Sequence, residues 1–311
     1  KDLTFGKTSN GLPIIMKQNA EDKLFNLQMR YEFGDEADIR YTYAADYLDL
    51  LGTNKISAEK IKQQFYKLAC NFGINVNGKT ITVSLSGLAE NMPQAVALAE
   101  NVLKNAKVDT AAWQNYVAMV LKNREDTKKE QRSNFTAAKA YGMYGTYNNV
   151  LNQLSAEQLK NTNPADMVAL ITKLSNYKHS VLYYGPATEK QLSNLITKEH
   201  KTTAKLADVP ANKPYMEQQT PKSEILLAPY DAKNIYMTMY HNEGKMFNPS
   251  EAPVAAVFNE YFGGGMNTVV FQELREARGL AYSASAYYYN MPIKNHTQYG
   301  TTFIISQNDK M

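Results

Sequence analysis

The chain has almost no cysteine and no long apolar run. Cys70 is the only cysteine among 311 residues, which excludes an internal disulfide. It lies in the stretch 65–70, whose pattern is helical, and we expect a small buried core residue rather than a nucleophile. No run is long and apolar enough to cross a membrane, and no signal-peptide pattern is present. The single cysteine says little about the compartment. We interpret the chain as a piece of a longer protein, so the missing signal peptide is uninformative.

Charge of one sign is also scarce. The net charge is only +4 at pH 7, and the charged residues, 21% of the chain, are of both signs. No basic stripe with interleaved aromatic residues is present, so the sequence does not indicate a nucleic-acid partner. The run 124–132 alternates in sign, which is typical of a solvated helix face. A hydrophobic fraction of 44% is enough for a buried core and argues against disorder.

Residues that commonly hold metals or phosphates form no recognisable group. No two histidines have the spacing of helical ligands to one metal; they are His179, His200, His241 and His296. The run 241–243, His-Asn-Glu, is the only suggestive cluster, and a polar loop end explains it better than a ligand set. No Ser/His/Asp or Cys/His set indicates nucleophilic catalysis. The triple glycine at 263–265 is not a phosphate loop, because no Lys-Ser/Thr follows it.

Hydrophobic periodicity predicts a first region of mixed strands and helices. Alternation of apolar and polar residues over 24–31 predicts a half-buried strand, and an Asn-Gly pair at 77–78 predicts a hairpin. Ser57 is a plausible helix N-cap. The predicted strands cover 11–17, 24–31, 74–77, 80–86 and 181–184, and the predicted helices cover 44–51, 57–70, 92–105, 110–132, 135–147 and 164–174.

The pattern then starts again, which is a weak but ordered internal repeat. Prolines in polar sequence mark a linker at 202–222, between a first domain at 1–201 and a second at 223–311. The strand at 233–240 repeats that at 24–31, and a helix at 252–261 repeats that at 44–51. A helix over 269–278 and strands over 282–286 and 299–306 complete the second copy. We expect this second domain to be incomplete at its C-terminus, because the first still has helices and a strand to come.

One cation and one phenol stand on either side of a predicted helix-to-strand corner. Arg275 lies on the helix, Gly279 makes the turn, and Tyr282 opens the strand. A guanidinium can donate to peptide carbonyls in a fixed fork, and a phenol can donate a hydrogen bond to a carbonyl as it becomes an oxyanion. The spacing alone is a weak signal, because the chain has 22 tyrosines and arginine is ordinary on helix faces.

The block 271–282, Phe-Gln-Glu-Leu-Arg-Glu-Ala-Arg-Gly-Leu-Ala-Tyr, resembles the substrate-holding segment of pitrilysin/insulinase-type zinc peptidases. The resemblance extends diffusely over the chain, from the Asn-Gly-Leu-Pro at 10–13 through the Gly-Thr at 52–53. It implies an α+β fold of two tandem similar domains, each a mostly antiparallel sheet covered by helices. It also implies that Arg275 binds the substrate backbone and that Tyr282 polarises the scissile carbonyl.

The chain departs from that family at the zinc site. The family holds zinc with an inverted His-x-x-Glu-His motif, and alignment on the 51–53 corner places Asp46, Asp49 and Leu50 at those positions. The family's further glutamate ligand would fall near Asn123. Leucine cannot bind a metal, and we expect the two aspartates to face solvent or a neighbouring lysine. We therefore expect no metal in this chain.

The resemblance implies a non-catalytic, substrate-binding half of a zinc endopeptidase that cleaves peptides. The expected partner is a zinc-bearing N-terminal half of the same protein, since the chain opens at Lys1 within a β pattern. The alternative is a catalytically dead module of the same fold that serves binding or assembly. Large four-domain members of this kind suggest the periplasm or cell envelope of a bacterium.

Overall fold

A computed structural model describes residues 2–293 and 295–309 of the chain, so the predicted domain ends at Lys1 and Met311 lie outside the described residues. The chain divides into two compact units. Unit 1 comprises Lys1–Leu121 and Leu154–Pro214, and unit 2 comprises Lys122–Gln153 and Tyr215–Met311. Within the described ranges, no helix combines the length and the apolar character needed to cross a membrane.

These units are not continuous stretches of sequence, because 122–153 groups with the C-terminal part of the chain. The sequence-based division at 1–201, 202–222 and 223–311 remains a prediction about domains.

The elements follow one another as strands and helices in an α+β arrangement. In chain order they are β1 (Thr4–Lys7), β2 (Pro13–Gln18), β3 (Leu24–Tyr31), α1 (Arg40–Leu48), α2 (Ala58–Lys67), β4 (Cys70–Val76), β5 (Ile81–Leu88), α3 (Met92–Asn105), α4 (Thr110–Thr127), α5 (Gln131–Tyr144), α6 (Ala156–Asn161), α7 (Pro164–Thr172), β6 (Ser180–Gly185), α8 (Glu189–Glu199), β7 (Asn234–His241), α9 (Ala252–Phe262), α10 (Val269–Phe271), a π-helix (Gln272–Ala277), β8 (Ser283–Tyr289) and β9 (Tyr299–Gln307).

Unit 1 is built on a six-stranded sheet in the order β1-β2-β6-β3-β5-β4. The neighbours pair antiparallel except β2 and β6, which are parallel. Alternate residues of β3 point to one face, as expected from a period of two. Leu27 lies opposite Leu85 of β5 and opposite Tyr183 of β6, and all three are buried. Helices α1 and α3 each pack against α7 over the core of this unit.

The second helix of unit 1 is shorter than its sequence pattern predicts. It begins as expected, with the Ser57 side chain accepting a hydrogen bond from the Lys60 N–H. It ends at Lys67, and the prediction that it runs to Cys70 is wrong, because Ala69 has a positive φ of 49° that interrupts the helix. Cys70 instead opens β4 and is buried, as expected of a core residue. Burial raises the pKa of its thiol, which disfavours the reactive thiolate.

Unit 2 contains a three-stranded antiparallel sheet in the order β7-β9-β8. Helix α5 lies on one face, where the Phe135 ring is 5.7 Å from that of Tyr236 and 5.8 Å from that of Phe303. Helix α9 lies on the other face, against the buried Ala284 and Ala286 of β8.

The predicted internal repeat is confirmed by the strand order. In unit 1, the strand β3 is followed by α1, α2, β4 and β5, and the sheet contains the order β3-β5-β4. In unit 2, β7 is followed by α9, α10 and the π-helix, then β8 and β9, and the sheet order is β7-β9-β8. The protein is therefore an α+β chain with two similar, mostly antiparallel sheets covered by helices.

The two related helices α1 and α9 differ in what covers them. Helix α1 packs against α7, and most of its residues are buried. Helix α9 buries Ala255 and Asn259 but exposes an apolar stripe at helical spacing, made by Val254, Val257, Phe258 and Tyr261. One face of α9 thus holds the helix to the sheet while the opposite face is apolar and open.

The buried Asn259 ties α9 to strand β8. Its amide nitrogen donates to the Tyr288 carbonyl at 2.9 Å, and its side-chain oxygen accepts from the Tyr288 N–H at 2.7 Å. The side chain thereby satisfies both backbone groups of one strand residue.

We expect Asn259→Ala to lower the local free energy of unfolding of unit 2 by about 3 kcal/mol, because two backbone polar groups lose their partner. Hydrogen exchange of peptides from α9 and β8 measures this, since the only tryptophan, Trp113, lies in unit 1. The neighbouring exposed Glu260→Ala is the matched control and should stay within about 0.5 kcal/mol. Equal effects of the two variants would contradict a bridging role for Asn259.

Candidate functional site

The site begins where α9 ends, at a glycine pressed against strand β8. The Ala286 N–H donates to the Gly263 carbonyl at 3.2 Å. A Cβ at position 263 would lie 2.4 Å from both the nitrogen and the carbonyl oxygen of Ala286, which no side chain allows. Gly263 is therefore required for the close approach of the helix end to the strand.

The helix that follows is wider than predicted. Thr268 precedes it, and its hydroxyl donates to the Gly265 carbonyl at 2.6 Å. The predicted α-helix over 269–278 is wrong in type: only Val269–Phe271 is α-helical, and Gln272–Ala277 is a π-helix. Each hydrogen-bonded loop of a π-helix encloses one more residue than in an α-helix, which displaces the side chains that follow around the helix axis, and π-turns often occur at functional sites.

A tight corner joins this helix to the next strand. Gly279 has a φ of +56°, a left-handed conformation that favours glycine. The Leu274 carbonyl accepts from the N–H groups of Leu280 at 2.8 Å and Ala281 at 3.3 Å. The Tyr282 N–H then donates to the Ile305 carbonyl of β9 at 2.7 Å. The corner predicted from the sequence is thus held by backbone hydrogen bonds at both ends.

The corner brings Arg275 and Tyr282 together. The Arg275 guanidinium carbon lies 5.7 Å from the centroid of the Tyr282 ring and 4.8 Å from that of Phe271. Both distances are within the range of a cation–π interaction. The Arg275 Nε is 3.5 Å from a carboxylate oxygen of the neighbouring Glu276. The Tyr282 side chain is 78% exposed, so its phenol is accessible.

This pair can bind carbonyl oxygens. A guanidinium has five N–H donors and no acceptor, and a phenol adds one O–H donor. The aromatic rings of Phe271 and Tyr282 limit the directions that the Arg275 side chain can take. Of the residues predicted for a site, Arg275 and Tyr282 are therefore the two that the structure places in contact.

The positions equivalent to zinc ligands do not fit a metal. The Tyr116 phenol donates to a carboxylate oxygen of Asp46 at 2.7 Å, and Leu50 offers no donor atom. Asp49 is exposed. Partial desolvation raises the pKa of its carboxyl, and the Lys62 charge opposes this shift. Asn123 is an exposed residue of α4. Over residues 2–293 and 295–309, no three His, Cys, Asp or Glu side chains are grouped to hold a metal ion.

Histidines that look scattered in the sequence include one close pair. His179 and His200 are in contact in the core of unit 1, next to Glu100. The sequence analysis did not predict this cluster. The one feature of the sequence that indicates it is Glu100, an acidic residue at a buried position of the largely apolar helix α3. His241, by contrast, is exposed beside Glu243 at the end of β7, as expected of a polar strand end.

Comparison with protein families places the C-terminal part of the chain. Residues 178–310 match the family model described as the peptidase M16 inactive domain, the family of the pitrilysin-type peptidases. The resemblance predicted from the block at 271–282 is thereby confirmed. No curated protein matches the chain in sequence.

Solved structures share the fold over nearly the whole chain. A peptidase M16 inactive domain from Pseudomonas fluorescens has a TM-score of 0.74 at 15% identity, covering 99% of this chain and 75% of its own. The periplasmic protease PqqL from Escherichia coli has a TM-score of 0.78 at 15% identity, covering 99% and 34%. A mutant of the ferredoxin protease FusC, in complex with Arabidopsis ferredoxin, has a TM-score of 0.79 at 12% identity, covering 99% and 34%. The chain thus spans about a third of the two proteases.

We expect Gly263→Ala to destabilise unit 2 by about 3 kcal/mol, because the new methyl group would overlap the β8 backbone at Ala286 and push α9 away from the sheet. Gly265→Ala is the matched control, since a Cβ there meets nothing within 4 Å, and it should change stability by less than about 0.5 kcal/mol. Hydrogen exchange of peptides from α9 and β8 compares the two. A Gly263→Ala variant as stable as the control would contradict the close approach.

Proposed function

We propose that this chain, whose residues 178–310 match the model of the peptidase M16 inactive domain, is the substrate-binding half of a zinc endopeptidase. In this proposal the zinc lies in an N-terminal half of the same protein, and this chain supplies Arg275 and Tyr282 to a shared active site. The observation that carries the proposal is the contact between these two side chains at an exposed corner. The reaction is proteolysis of peptides.

Arg275 has the role of holding the substrate backbone. Its guanidinium is packed on the Phe271 ring at 4.8 Å, which preorients the N–H donors and lowers the entropy lost when they bind carbonyls. Glu276 is 3.5 Å away and partly exposed, so an incoming carbonyl competes with a weak surface pair. The contribution of Arg275 is therefore to substrate affinity and register.

Tyr282 has the role of polarising the scissile carbonyl. Its backbone is fixed to β9 by the hydrogen bond to Ile305, whereas its side chain is largely exposed. A phenol O–H that is positioned before the reaction stabilises negative charge as it develops on the carbonyl oxygen. The interaction strengthens in the transition state, so Tyr282 should act mainly on turnover.

Two features of the comparisons support a peptide-acting parent protein. The structures of PqqL and FusC are those of proteases about three times as long as this chain, which leaves room for a zinc-bearing half. FusC is in complex with ferredoxin, a protein ligand. We propose polypeptides as substrates here by analogy with these proteins. The periplasmic location of PqqL supports the periplasm or cell envelope as the compartment.

The second candidate is a binding or assembly module without catalysis. It is favoured by the loss of every zinc-ligand position in unit 1, where Asp46 is engaged by Tyr116 and Leu50 has no donor. It is also favoured by the Pseudomonas fluorescens neighbour, which is described as an inactive domain. The two candidates differ in one requirement, a His-x-x-Glu-His segment in the same protein.

We expect Tyr282→Phe in the parent protein to lower kcat about 100-fold, because one donor to the developing oxyanion is lost. KM should change by less than about threefold, since the substrate backbone is still held by Arg275. Steady-state cleavage of a quenched fluorescent peptide mixture provides both constants. Tyr287→Phe, on a partly exposed tyrosine of β8, is the control and should leave both constants unchanged. An unchanged kcat in Tyr282→Phe would refute the assignment.

We further expect the parent protein to cleave the same peptide mixture and a zinc chelator to abolish this cleavage. The isolated 311-residue chain should show no cleavage with or without added zinc, because its zinc positions lack ligands. Peptide binding by the isolated chain, weakened by Arg275→Gln, would identify the half that holds substrate. Absence of cleavage by the parent under all conditions would favour the binding module instead.

A further inference from the structure

Three ionisable side chains lie buried and in contact with one another in unit 1, whereas Arg275 and Tyr282 belong to unit 2. Glu100 belongs to α3, His200 follows the last residue of α8, and His179 directly precedes β6. Their exposed fractions are 5%, 1% and 5%. Buried ionisable groups are costly unless each is paired, so the arrangement needs an explanation that the proposed peptidase role does not give.

The contacts form one continuous line. The His200 Nδ1 is 2.6 Å from a Glu100 carboxylate oxygen, and the His200 Nε2 is 3.0 Å from the His179 Nε2. The His179 Nδ1 is 2.7 Å from the Tyr177 carbonyl oxygen. At the opposite end, the Lys104 Nζ is 3.1 Å from the other carboxylate oxygen of Glu100.

The partners assign the proton on each ring nitrogen. A carbonyl oxygen only accepts, so the His179 Nδ1 carries a hydrogen and donates to Tyr177. The structure gives the His179 Nε2 a second contact with the His200 Nε2, and one of these two nitrogens must donate. A neutral His179 that already has its hydrogen on Nδ1 can only accept at Nε2. The donor is therefore the His200 Nε2–H.

The other end of the His200 ring faces Glu100. One proton lies between the His200 Nδ1 and a carboxylate oxygen of Glu100, whose other oxygen contacts Lys104. The His200 Nε2–H points at the His179 Nε2, and the His179 Nδ1–H points at the Tyr177 carbonyl. This order leaves no donor facing a donor, which is the condition for a stable buried network.

The surroundings resist a second proton on His179. The Tyr31 ring of β3 lies 4.6 Å from its ring, and burial raises the pKa of Tyr31, so that phenol stays neutral. Burial and the His200 charge lower the pKa of His179 to about 4, while the Tyr177 carbonyl and Glu100 oppose the shift. Lys104 of α3 contacts Glu100, and two further ion pairs are neighbours in sequence: Lys198–Glu199 at the end of α8, before His200, and Lys178–Asp208, beside His179 and Ala207.

The cluster lies where two segments of unit 1 meet. The Lys178 N–H donates to the Ala207 carbonyl at 2.9 Å, and the Ala207 N–H donates to the Asn176 carbonyl at 2.8 Å. The segment 200–207, which follows α8, is thereby attached to the segment 176–179, which precedes β6. His200 and His179 stand at the ends of these segments and link them through their side chains.

We propose that Glu100, His200 and His179 form an acid-sensitive latch that fastens the segment 200–207 to the segment 176–179. The latch is closed while the His179 Nε2 accepts from the His200 Nε2–H, and it opens when the His179 Nε2 takes up a proton of its own. A protonated His179 would direct its Nε2–H at the Nε2–H of His200 across 3.0 Å, placing two donors together. The pair relieves this conflict by separating.

The direction of the pH dependence follows from the lowered pKa of His179. Above about pH 6.5, the ordinary value, the His179 ring is neutral in both closed and open states, and its titration does not weaken the latch. As the pH falls from about 6.5 towards about 4, the open state takes up a proton that the closed state excludes. The open state is therefore favoured by up to about tenfold per pH unit across this window.

Hydrogen exchange of the Lys178 and Ala207 amides measures the opening. After correction for the intrinsic exchange rate, we expect protection of both amides to fall by about tenfold per pH unit between about pH 6.5 and pH 4.5. His179→Gln should remove this dependence, because the amide nitrogen can still donate to Tyr177 and the amide oxygen can accept from His200 without titrating. His241→Gln, on the exposed histidine of unit 2, is the matched control and should retain the wild-type dependence.

A second measurement needs no variant. In the wild-type chain labelled with ¹⁵N at its four histidines, long-range proton–nitrogen spectra at pH 7 should show a hydrogen on the His200 Nε2 and His179 protonated at Nδ1 only. A hydrogen on the His179 Nε2 at pH 7, or protection of Lys178 and Ala207 that stays constant between pH 6.5 and 4.5, would overturn the latch. If His179→Gln does not fold, these two wild-type measurements still decide the matter.

Discussion

The attachment of α9 to β8 is the contact on which the candidate site depends. The Asn259 amide satisfies both backbone groups of Tyr288, and Gly263 meets the Ala286 backbone directly. The chain therefore leaves α9 from a fixed point on the sheet, and it returns to the sheet at the Tyr282 N–H bond to β9. Between these anchors, the π-helix and the left-handed glycine have little freedom. Two exposed side chains consequently acquire a defined separation from backbone geometry rather than from burial.

The same strand order serves different chemistry in the two units. The order β3-β5-β4 in unit 1 corresponds to β7-β9-β8 in unit 2, but the corner before β4 carries neither an arginine nor a tyrosine at the positions of the pair. Unit 1 instead contains a series of buried contacts between ionisable side chains, from Lys104 to His179. Fold and function are thus separable here: the sheet and its two following helices are the shared frame, and the site is a local addition to one copy.

Much of this frame follows from the sequence, because strong periodicity is a local property. The strand at 24–31 and the helix at 92–105 were predicted with the bounds that the structure has. The prediction failed where a single residue changes the course of the backbone. At Ala69, a left-handed backbone ends α2 early. In the π-helix, each hydrogen-bonded loop encloses one more residue than in an α-helix, which the apolar pattern of the sequence did not reveal. Strand β1 and helices α6 and α8 were not predicted. Helix α8 did have a readable signal, the capping box of Thr188 and Gln191, within sequence interpreted as polar. The histidine latch joins three elements that are distant in sequence, so no spacing rule could predict it.

The chemistry of the corner explains why a second half belongs to the proposed function. Arg275 offers only hydrogen-bond donors, and the Tyr282 phenol adds one O–H donor. The nearby carboxylates, Glu273 and Glu276, are each paired with an arginine of the same helix. The corner can therefore hold a peptide and stabilise charge on its carbonyl, whereas activation of the attacking water must come from elsewhere. Under the proposed function, a site divided in this way would react only when its two parts are brought together around the substrate, so that turnover would depend on closure of the complete protein.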